Sequence, residues 1–313
     1  MDFAVLPNIF LTVCAPIFFV VGLGWLLDRK FKLHLDSLVK INIYLLVPAF
    51  IFTRVIDTEL AGEAALRIVA FTVAMIALMF VCSILATFFL RLPTKGGQSM
   101  KLATMFYNSG NFGLPLVKLA FGNEGAAVQV YVLATMNVAT FTVGLFLAHE
   151  RHESVGAHRR ALLSVLRQPT LYAVTAGIIC KTMGWHVQSV TWLWQPLDLL
   201  QAGLVGFALT TLGVQMSQTK PAPFHAPMLA ALGIRLVLAP LLAVVLSQVF
   251  GFSKFTCASL ILAAGAPTAV NTALLANEFG GDVSFATTAV YYSTLLSLLT
   301  TTINLALLRA WIG

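Results

Sequence analysis

Charged residues are scarce in this sequence. Asp, Glu, Lys and Arg together make up 10% of its 313 residues, whereas an ordinary soluble domain has roughly 25%. So few charges cannot cover a folded surface that faces water, which excludes a soluble globular protein. Apolar stretches of about 20 residues, long enough to cross a hydrocarbon core of roughly 30 Å, recur along the whole chain. The sequence therefore predicts an all-α integral membrane protein.

The motifs of enzymes and pumps are also missing. The chain has no His-Glu-x-x-His, no Gly-x-Ser-x-Gly and no pair of aspartates inside an apolar stretch, and all six histidines lie at the ends of such stretches or between them. Neither a metal centre nor an activated nucleophile can be assembled from these residues. A phosphate-binding Gly-x-x-x-x-Gly-Lys-Ser/Thr loop is absent too. We therefore predict that the protein is neither an enzyme nor an ATP-driven pump, and that it has no metal site and no cofactor.

The sequence has few cysteines, and few Asp or Glu residues inside its apolar stretches. The four cysteines lie singly in different apolar stretches without a Cys-x-x-Cys spacing, which favours small packing residues over disulfides or metal ligands. No apolar stretch carries an Asp or Glu near its middle, so a carboxylate proton relay is not evident. Sodium coupling, proton coupling and uniport all stay open.

Ten apolar segments fill the chain. They run approximately over 8–27, 38–56, 66–90, 100–120, 125–148, 168–184, 196–217, 228–250, 257–277 and 285–311. Lys and Arg are concentrated in the loops that follow odd-numbered segments, so the positive-inside rule places both termini outside the cytoplasm. The net charge of +7 is therefore a topology signal and does not indicate a nucleic-acid partner.

Landmarks in the first half recur in the second half at an offset of about 160 residues. Gly24-Trp25 falls on Gly184-Trp185, and Val130-Tyr131 falls on Val290-Tyr291. Five segments per half is an odd number, so the two halves must enter the membrane in opposite orientations. The predicted organisation is a first repeat over 1–148, a cytoplasmic linker over 149–167 and a second, inverted repeat over 168–313.

Segments 4 and 9 are interrupted by the same residue types at the same spacing. Asn111 lies four residues before Pro115, and Pro267 lies four residues before Asn271. Proline and glycine free backbone groups, which a bilayer tolerates only where they are buried in protein or line a watery cavity. We therefore predict ten transmembrane helices in a 5+5 inverted repeat, with segments 4 and 9 unwound and crossing near the bilayer midplane at the substrate site.

The residues around these interruptions resemble the auxin efflux carrier family. The motifs are Asn-Ser-Gly-Asn-Phe-Gly-Leu-Pro-Leu at 108–116 and Ala-Pro-Thr-Ala-Val-Asn-Thr-Ala-Leu-Leu-Ala-Asn-Glu-Phe-Gly at 266–280. The ten-segment layout extends the resemblance over nearly the whole chain. The short central loop is similar to that of bacterial members rather than to the long hydrophilic insert of plant exporters.

The resemblance implies a fold similar to that of bile acid/sodium symporters, with Pro115 and Pro267 at the crossing of segments 4 and 9. It also implies a scaffold of segments 1, 2, 6 and 7, an elevator-like transport domain of segments 3–5 and 8–10, and a homodimer formed through the scaffold. For a bacterial member, the charge pattern implies an inner-membrane protein with both termini in the periplasm.

Neutral polar residues at the interruptions are the first candidates for substrate contact. They are Asn108, Ser109, Asn111, Thr268 and Asn271. Half-helices at such a crossing present unpaired N–H groups and the positive ends of their dipoles, an environment that suits a carboxylate. Amides and hydroxyls can bind an anion or cap a broken helix, and both roles stay open for these residues.

Arg235 is the one basic residue well inside an apolar run, where a charge costs on the order of 2.5–3.5 kcal/mol. Either an anionic substrate offsets this cost, or the side chain snorkels to water or lipid phosphate. Other polar residues at comparable depth are Asn42, Tyr44, Asn137, Gln201 and Asn304. These residues either line the cavity or hydrogen-bond a neighbouring helix.

Together these features predict a secondary transporter that works by alternating access. Its expected substrate is a small organic anion such as malate, malonate or an auxin-like acid. The alternative is a sodium-coupled symporter of bile-acid-like or other bulky organic anions on the same fold. The expected partners are the substrate and the lipid bilayer, with no nucleic acid.

Overall fold

The computed structural model of the protein describes residues 5–58, 62–148, 163, 166–278 and 281–312. Regular secondary structure in this part of the chain is helical, and its one β-type pairing is an isolated antiparallel bridge between Tyr107 and Thr268. Six of the described helices are long and apolar enough to span a membrane. The prediction of a helical, multi-pass membrane protein is confirmed at this level.

The helices are labelled in chain order. They are α1 (Pro7–Phe31), α2 (Leu35–Asp57), α3 (Gly62–Phe89), α4 (Thr94–Met105), α5 (Leu114–Ala148), α6 (Pro169–Thr182), α7 (Thr191–Gln218), α8 (Ala226–Val249), α9 (Lys254–Ala264), α10 (Asn271–Glu278) and α11 (Val283–Ile312). The six that are both long and apolar enough to span a membrane are α1, α2, α3, α7, α8 and α11. Nearly all of the predicted linker over 149–167 lies outside the described residues.

Two of the predicted segments are not continuous helices. Helix α4 ends at Met105, and a short π-helical turn over Ser109–Gly113 leads into α5. Helix α9 ends at Ala264, and α10 begins at Asn271. In addition, α5 turns sharply at Gly122, whose φ of 67° favours glycine, so the start of α5 continues segment 4 and the remainder corresponds to segment 5.

Four π-helical turns share one sequence cause. Each ends two residues before a proline: Phe10–Cys14 before Pro16, Asn42–Leu46 before Pro48, Ser109–Gly113 before Pro115, and Ile234–Leu238 before Pro240. Proline has no N–H to donate and its ring crowds the preceding turn, so the turn widens. Three of these turns carry a polar residue that the sequence analysis named as a candidate, namely Asn42, Asn111 and Arg235.

Helices α1, α2, α6 and α7 form one packed group. Helix α1 packs along α7, and α2 packs against α6 and α7. The closest approach uses glycine, because a Cβ on Gly24 of α1 would clash with the Thr210 carbonyl, and a Cβ on Gly213 of α7 would clash with the Val21 carbonyl. The remaining helices pack around the interruptions themselves, with α9 against α5 and α4 against α11.

We expect Gly213→Ala to destabilise the protein by at least about 1–3 kcal/mol, because the added methyl group has no room against α1. The matched control is Gly206→Ala on the same helix, where a Cβ meets nothing within 4 Å. Thermal unfolding in detergent should show a lowered midpoint for Gly213→Ala only. Equal midpoints for the two variants would contradict the close α1–α7 contact.

Candidate functional site

The two interruptions satisfy each other's backbone groups. The N–H of Asn108 donates to the Pro267 carbonyl at 2.7 Å, and the N–H of Ala269 donates to the Phe106 carbonyl at 2.9 Å. These two bonds flank the Tyr107–Thr268 bridge. Freed backbone groups are costly in a bilayer unless they find protein partners, so each interruption stabilises the other.

Arg235 joins the ends of the two helices that stop at the interruptions. Its Nη1 donates to the Thr104 carbonyl at the end of α4 at 2.8 Å, and its Nη2 donates to the Ala264 carbonyl at the end of α9. The guanidinium carbon also lies 5.1 Å from the centre of the Tyr107 ring. Each helix C-terminus carries about half a negative charge, so two of them offset one guanidinium.

The structure places Arg235 away from the membrane surface and outside the cavity at the interruptions. The side chain is 1% exposed, so it does not snorkel to the membrane surface, and it is not among the residues that line the polar cavity described next. Its partners are main-chain carbonyls, which a sequence cannot display. The residue therefore positions the two helix ends from outside the cavity.

A small polar cavity lies beside the interruptions, next to α2, α5 and α6. Its volume is about 70 Å³, several times what one water molecule needs. Six of the candidate residues line it: Asn42, Asn108, Ser109, Asn111, Asn137 and Asn271. Tyr107, Thr140, Gln168 and Thr170 add further polar groups, and none of the described residues that line the cavity is charged.

Amide hydrogen bonds fix the turn that forms one wall of the cavity. Asn42 Nδ2 donates to Asn111 Oδ1 at 2.7 Å, and the Asn111 N–H donates to Asn108 Oδ1 at 3.0 Å. Gln129 Nε2 donates to the Ser109 carbonyl at 2.9 Å. Because α2, α5 and the turn are tied by these bonds, a shift of any one of them changes the shape of the cavity.

Several hydrogen-bond donors at the cavity have no partner. Within the described residues, none is found for the backbone N–H groups of Gly110, Val270 and Asn271, or for the buried Nδ2 of Asn108. Gly110 lies in the turn that leads into α5, and Asn271 is the first residue of α10. Both helices therefore direct the positive ends of their dipoles toward the cavity. Unpaired donors, positive helix ends and the lack of acidic side chains make this cavity suitable for a carboxylate.

Other candidates from the sequence have structural partners elsewhere. Thr268 fastens the second interruption, because its Oγ1 donates to the Ala103 carbonyl at 2.9 Å and its N–H donates to Ser293 Oγ at 3.0 Å. Gln201 accepts a bond from Thr53 on α2 and donates one to Asp198. The bond from Thr53 joins α2 to α7, which is the second of the two roles that the sequence allowed for Gln201.

Two further candidates also lie away from the cavity. Tyr44 is 64% exposed on the surface of α2. Asn304 lies against the second interruption, where a Cβ on Gly265 would come within 2.8 Å of its Nδ2. The sequence placed both at membrane depth but gave no indication of which helix face they occupy.

Comparison with known proteins identifies the family. Residues 9–305 match the family described as membrane transport protein. The chain belongs to this family. The resemblance to the auxin efflux carriers is thereby confirmed. The chain is thus a membrane transport protein, in a family of transporters and not of enzymes.

Individual relatives agree with the assignment to the membrane transport protein family. A protein of Rhizobium meliloti named "Putative malonate transporter" is 25% identical over 308 residues, which cover 94% of each chain. An uncharacterized transporter of Methanothermobacter thermautotrophicus is 25% identical over 265 residues, covering 84% of this chain and 85% of the relative. A third, an uncharacterized transporter of Methanocaldococcus jannaschii, is 24% identical over 280 residues, covering 85% of this chain and 87% of the relative.

We expect Arg235→Met to lower the stability of this transport protein strongly, since it leaves two buried carbonyls unpaired at about 1–3 kcal/mol each. Arg235→Lys should recover part of the loss, because an ammonium keeps the charge but lacks the fork that reaches both helix ends. The control is Arg309→Met at the end of α11, which should change the unfolding midpoint little. Unfolding midpoints that are the same for Arg235→Met and wild type would contradict the role of Arg235 in joining the ends of α4 and α9.

Proposed function

We propose that the protein is a secondary transporter of small organic anions and that the transported carboxylate binds in the cavity at the two interruptions. The observation that carries this proposal is the group of unpaired N–H donors at Gly110, Val270 and Asn271 beside an uncharged amide cavity. An anion in this position would accept the hydrogen bonds that the protein leaves unused. The relative named as a malonate transporter supports a small carboxylate as the substrate.

The size of the cavity favours the small-anion proposal over the bulky-anion alternative. At about 70 Å³ it is far below the roughly 300–1,000 Å³ of sites that hold drug-sized ligands. A short mono- or dicarboxylate matches this space better than a steroid-like anion does. Saturable uptake of malonate in preference to a steroid-like anion provides an independent test, since the bulky-anion symporter predicts the reverse preference.

For the mechanism, we propose ten membrane spans in a 5+5 inverted repeat, embedded in a bacterial inner membrane with both termini in the periplasm. The bundle of α1, α2, α6 and α7 would be a scaffold that also mediates homodimerisation, and the helices around the interruptions would move as the transport domain.

The cavity lies between these two parts, because it is lined by α2 and α6 on one side and by α5 and the interruptions on the other. Movement of the transport domain would therefore carry the anion across the membrane in an elevator-like form of alternating access.

The proposal predicts that malonate or a related carboxylate raises the unfolding temperature of the purified protein, because a ligand that binds the folded state stabilises it by mass action. Asn111→Ala and Asn271→Ala should reduce this shift and also lower saturable uptake into proteoliposomes. Asn304→Ala is the matched control, since Asn304 lies at an interruption but outside the cavity.

Three outcomes would contradict the proposal. A full thermal shift in both cavity variants would place the binding site elsewhere. Flux that rises with concentration without saturating would indicate a channel. Product formation from a membrane substrate by the purified protein would instead indicate an enzyme.

A further inference from the structure

Two basic side chains from different helices meet at one buried aromatic ring. The guanidinium carbon of Arg54 on α2 lies 5.6 Å from the centre of the Phe50 ring, and Nζ of Lys118 on α5 lies 5.9 Å from the same centre. Phe50 is 0% exposed, and both basic residues are half-buried. A cation above an aromatic face is favourable, but two cations at one ring repel each other.

No carboxylate of the described residues neutralises this pair. Neither Arg54 nor Lys118 has an Asp or Glu oxygen within 4 Å in this part of the chain. Among the described residues, the acidic ones toward the same end of the helices are engaged or exposed: Asp57 accepts a bond from Gln188, and Asp198 accepts one from Gln201. Glu63 and Glu124 lie at the surface.

The pair also has unused hydrogen-bonding capacity. Arg54 Nε is buried and has no hydrogen-bond partner within the described residues. A guanidinium beside an aromatic ring can still direct N–H groups of its edge toward a planar oxyanion, and an ammonium can add a further donor. Two adjacent cations with free donors have the composition of an oxyanion site.

The position of the pair relates it to the cavity. Arg54 lies seven residues beyond Val47, a cavity-lining residue of α2, and Lys118 lies seven residues beyond Asn111 in the turn that leads into α5. Seven residues are about two helical turns, or about 10 Å, so each basic residue lies near the face of its helix that borders the cavity. Both lie toward the ends marked by Asp57 and Gly122, the periplasmic side in the topology proposed above.

We propose that Arg54 and Lys118 form a second anion site, which binds an oxyanion at the periplasmic end of the path to the amide cavity. As a staging site it would concentrate the transported carboxylate before it enters the uncharged cavity, because fixed positive charge raises the local concentration of anions. The identification of the anion as the substrate rests on the proposed transport function. The proposal that the pair binds an oxyanion does not depend on that function.

The first test measures oxyanion binding without transport. In the full-length double variant Asn111→Ala/Asn271→Ala, whose central site is disabled, malonate and inorganic phosphate should still raise the unfolding temperature. Adding Lys118→Gln or Arg54→Gln should remove this residual shift, whereas Lys118→Arg should retain it because the charge is kept. Lys254→Gln, which removes an exposed cation at the start of α9, is the control and should also leave the shift unchanged.

A charge reversal tests the pair from the opposite direction. Lys118→Glu supplies the missing carboxylate, so the unfolding temperature without ligand should rise and the residual anion shift should disappear. A lower unfolding temperature together with an undiminished anion shift would overturn the proposal. So would a residual shift that survives both Lys118→Gln and Arg54→Gln.

The second test separates a dissolved anion from a lipid headgroup. In proteoliposomes, Lys118→Gln should raise the KM for uptake from the periplasmic side about tenfold while the maximal rate stays within about twofold. Stabilisation by phosphatidylglycerol in nanodiscs, with none by malonate or phosphate, would overturn the staging role and assign the pair to lipid phosphate. If malonate or phosphate binds at the pair but no carboxylate is transported, the site stands and the proposed function fails.

Discussion

The interior of a bilayer has no water for a backbone group without a partner, and the interruptions at 106–113 and 265–270 exist under that constraint. They are tolerated because they meet and exchange two backbone hydrogen bonds around the Tyr107–Thr268 bridge. Much of the site follows from this contact. It sets the ends of four helices close together, two that stop and two that begin, and it keeps the intervening backbone away from lipid.

The negative and positive ends of the four helix dipoles have different partners. The C-termini of α4 and α9 face Arg235, whose guanidinium supplies both the charge and the donors that their last carbonyls need. The turn that leads into α5 and the start of α10 face the cavity, where donors remain free. One buried cation therefore neutralises the negative ends, and the positive ends are left to a ligand. In the proposed function, this division would let a cavity whose described lining residues carry no charge attract an anion.

Prediction from the sequence succeeded where the chain breaks its own pattern. The Asn and Pro spacing located both interruptions, because proline and glycine in an apolar segment change the backbone wherever the segment packs. Prediction was weaker for residues whose role depends on which helix face they occupy. Tyr44 and Gln201 lie at a plausible depth in the membrane but outside the cavity. The sequence could not show this, because the lipid-facing and protein-facing sides of these helices are both apolar and give little periodicity. Gln129, which supports the Ser109 turn, was missed, and the carbonyl partners of Arg235 have no sequence signal.

The central claim is that the paired interruptions hold the transported anion. The most direct measurement is the location of a heavy-atom analogue: bromomalonate bound to crystals of the protein, with its bromine found by anomalous scattering. We predict a bromine peak in the amide cavity beside Asn108 and Asn271, with the side-chain hydrogen bond between Asn42 and Asn111 retained. A well-occupied bromine peak elsewhere, with the cavity empty, would contradict the account.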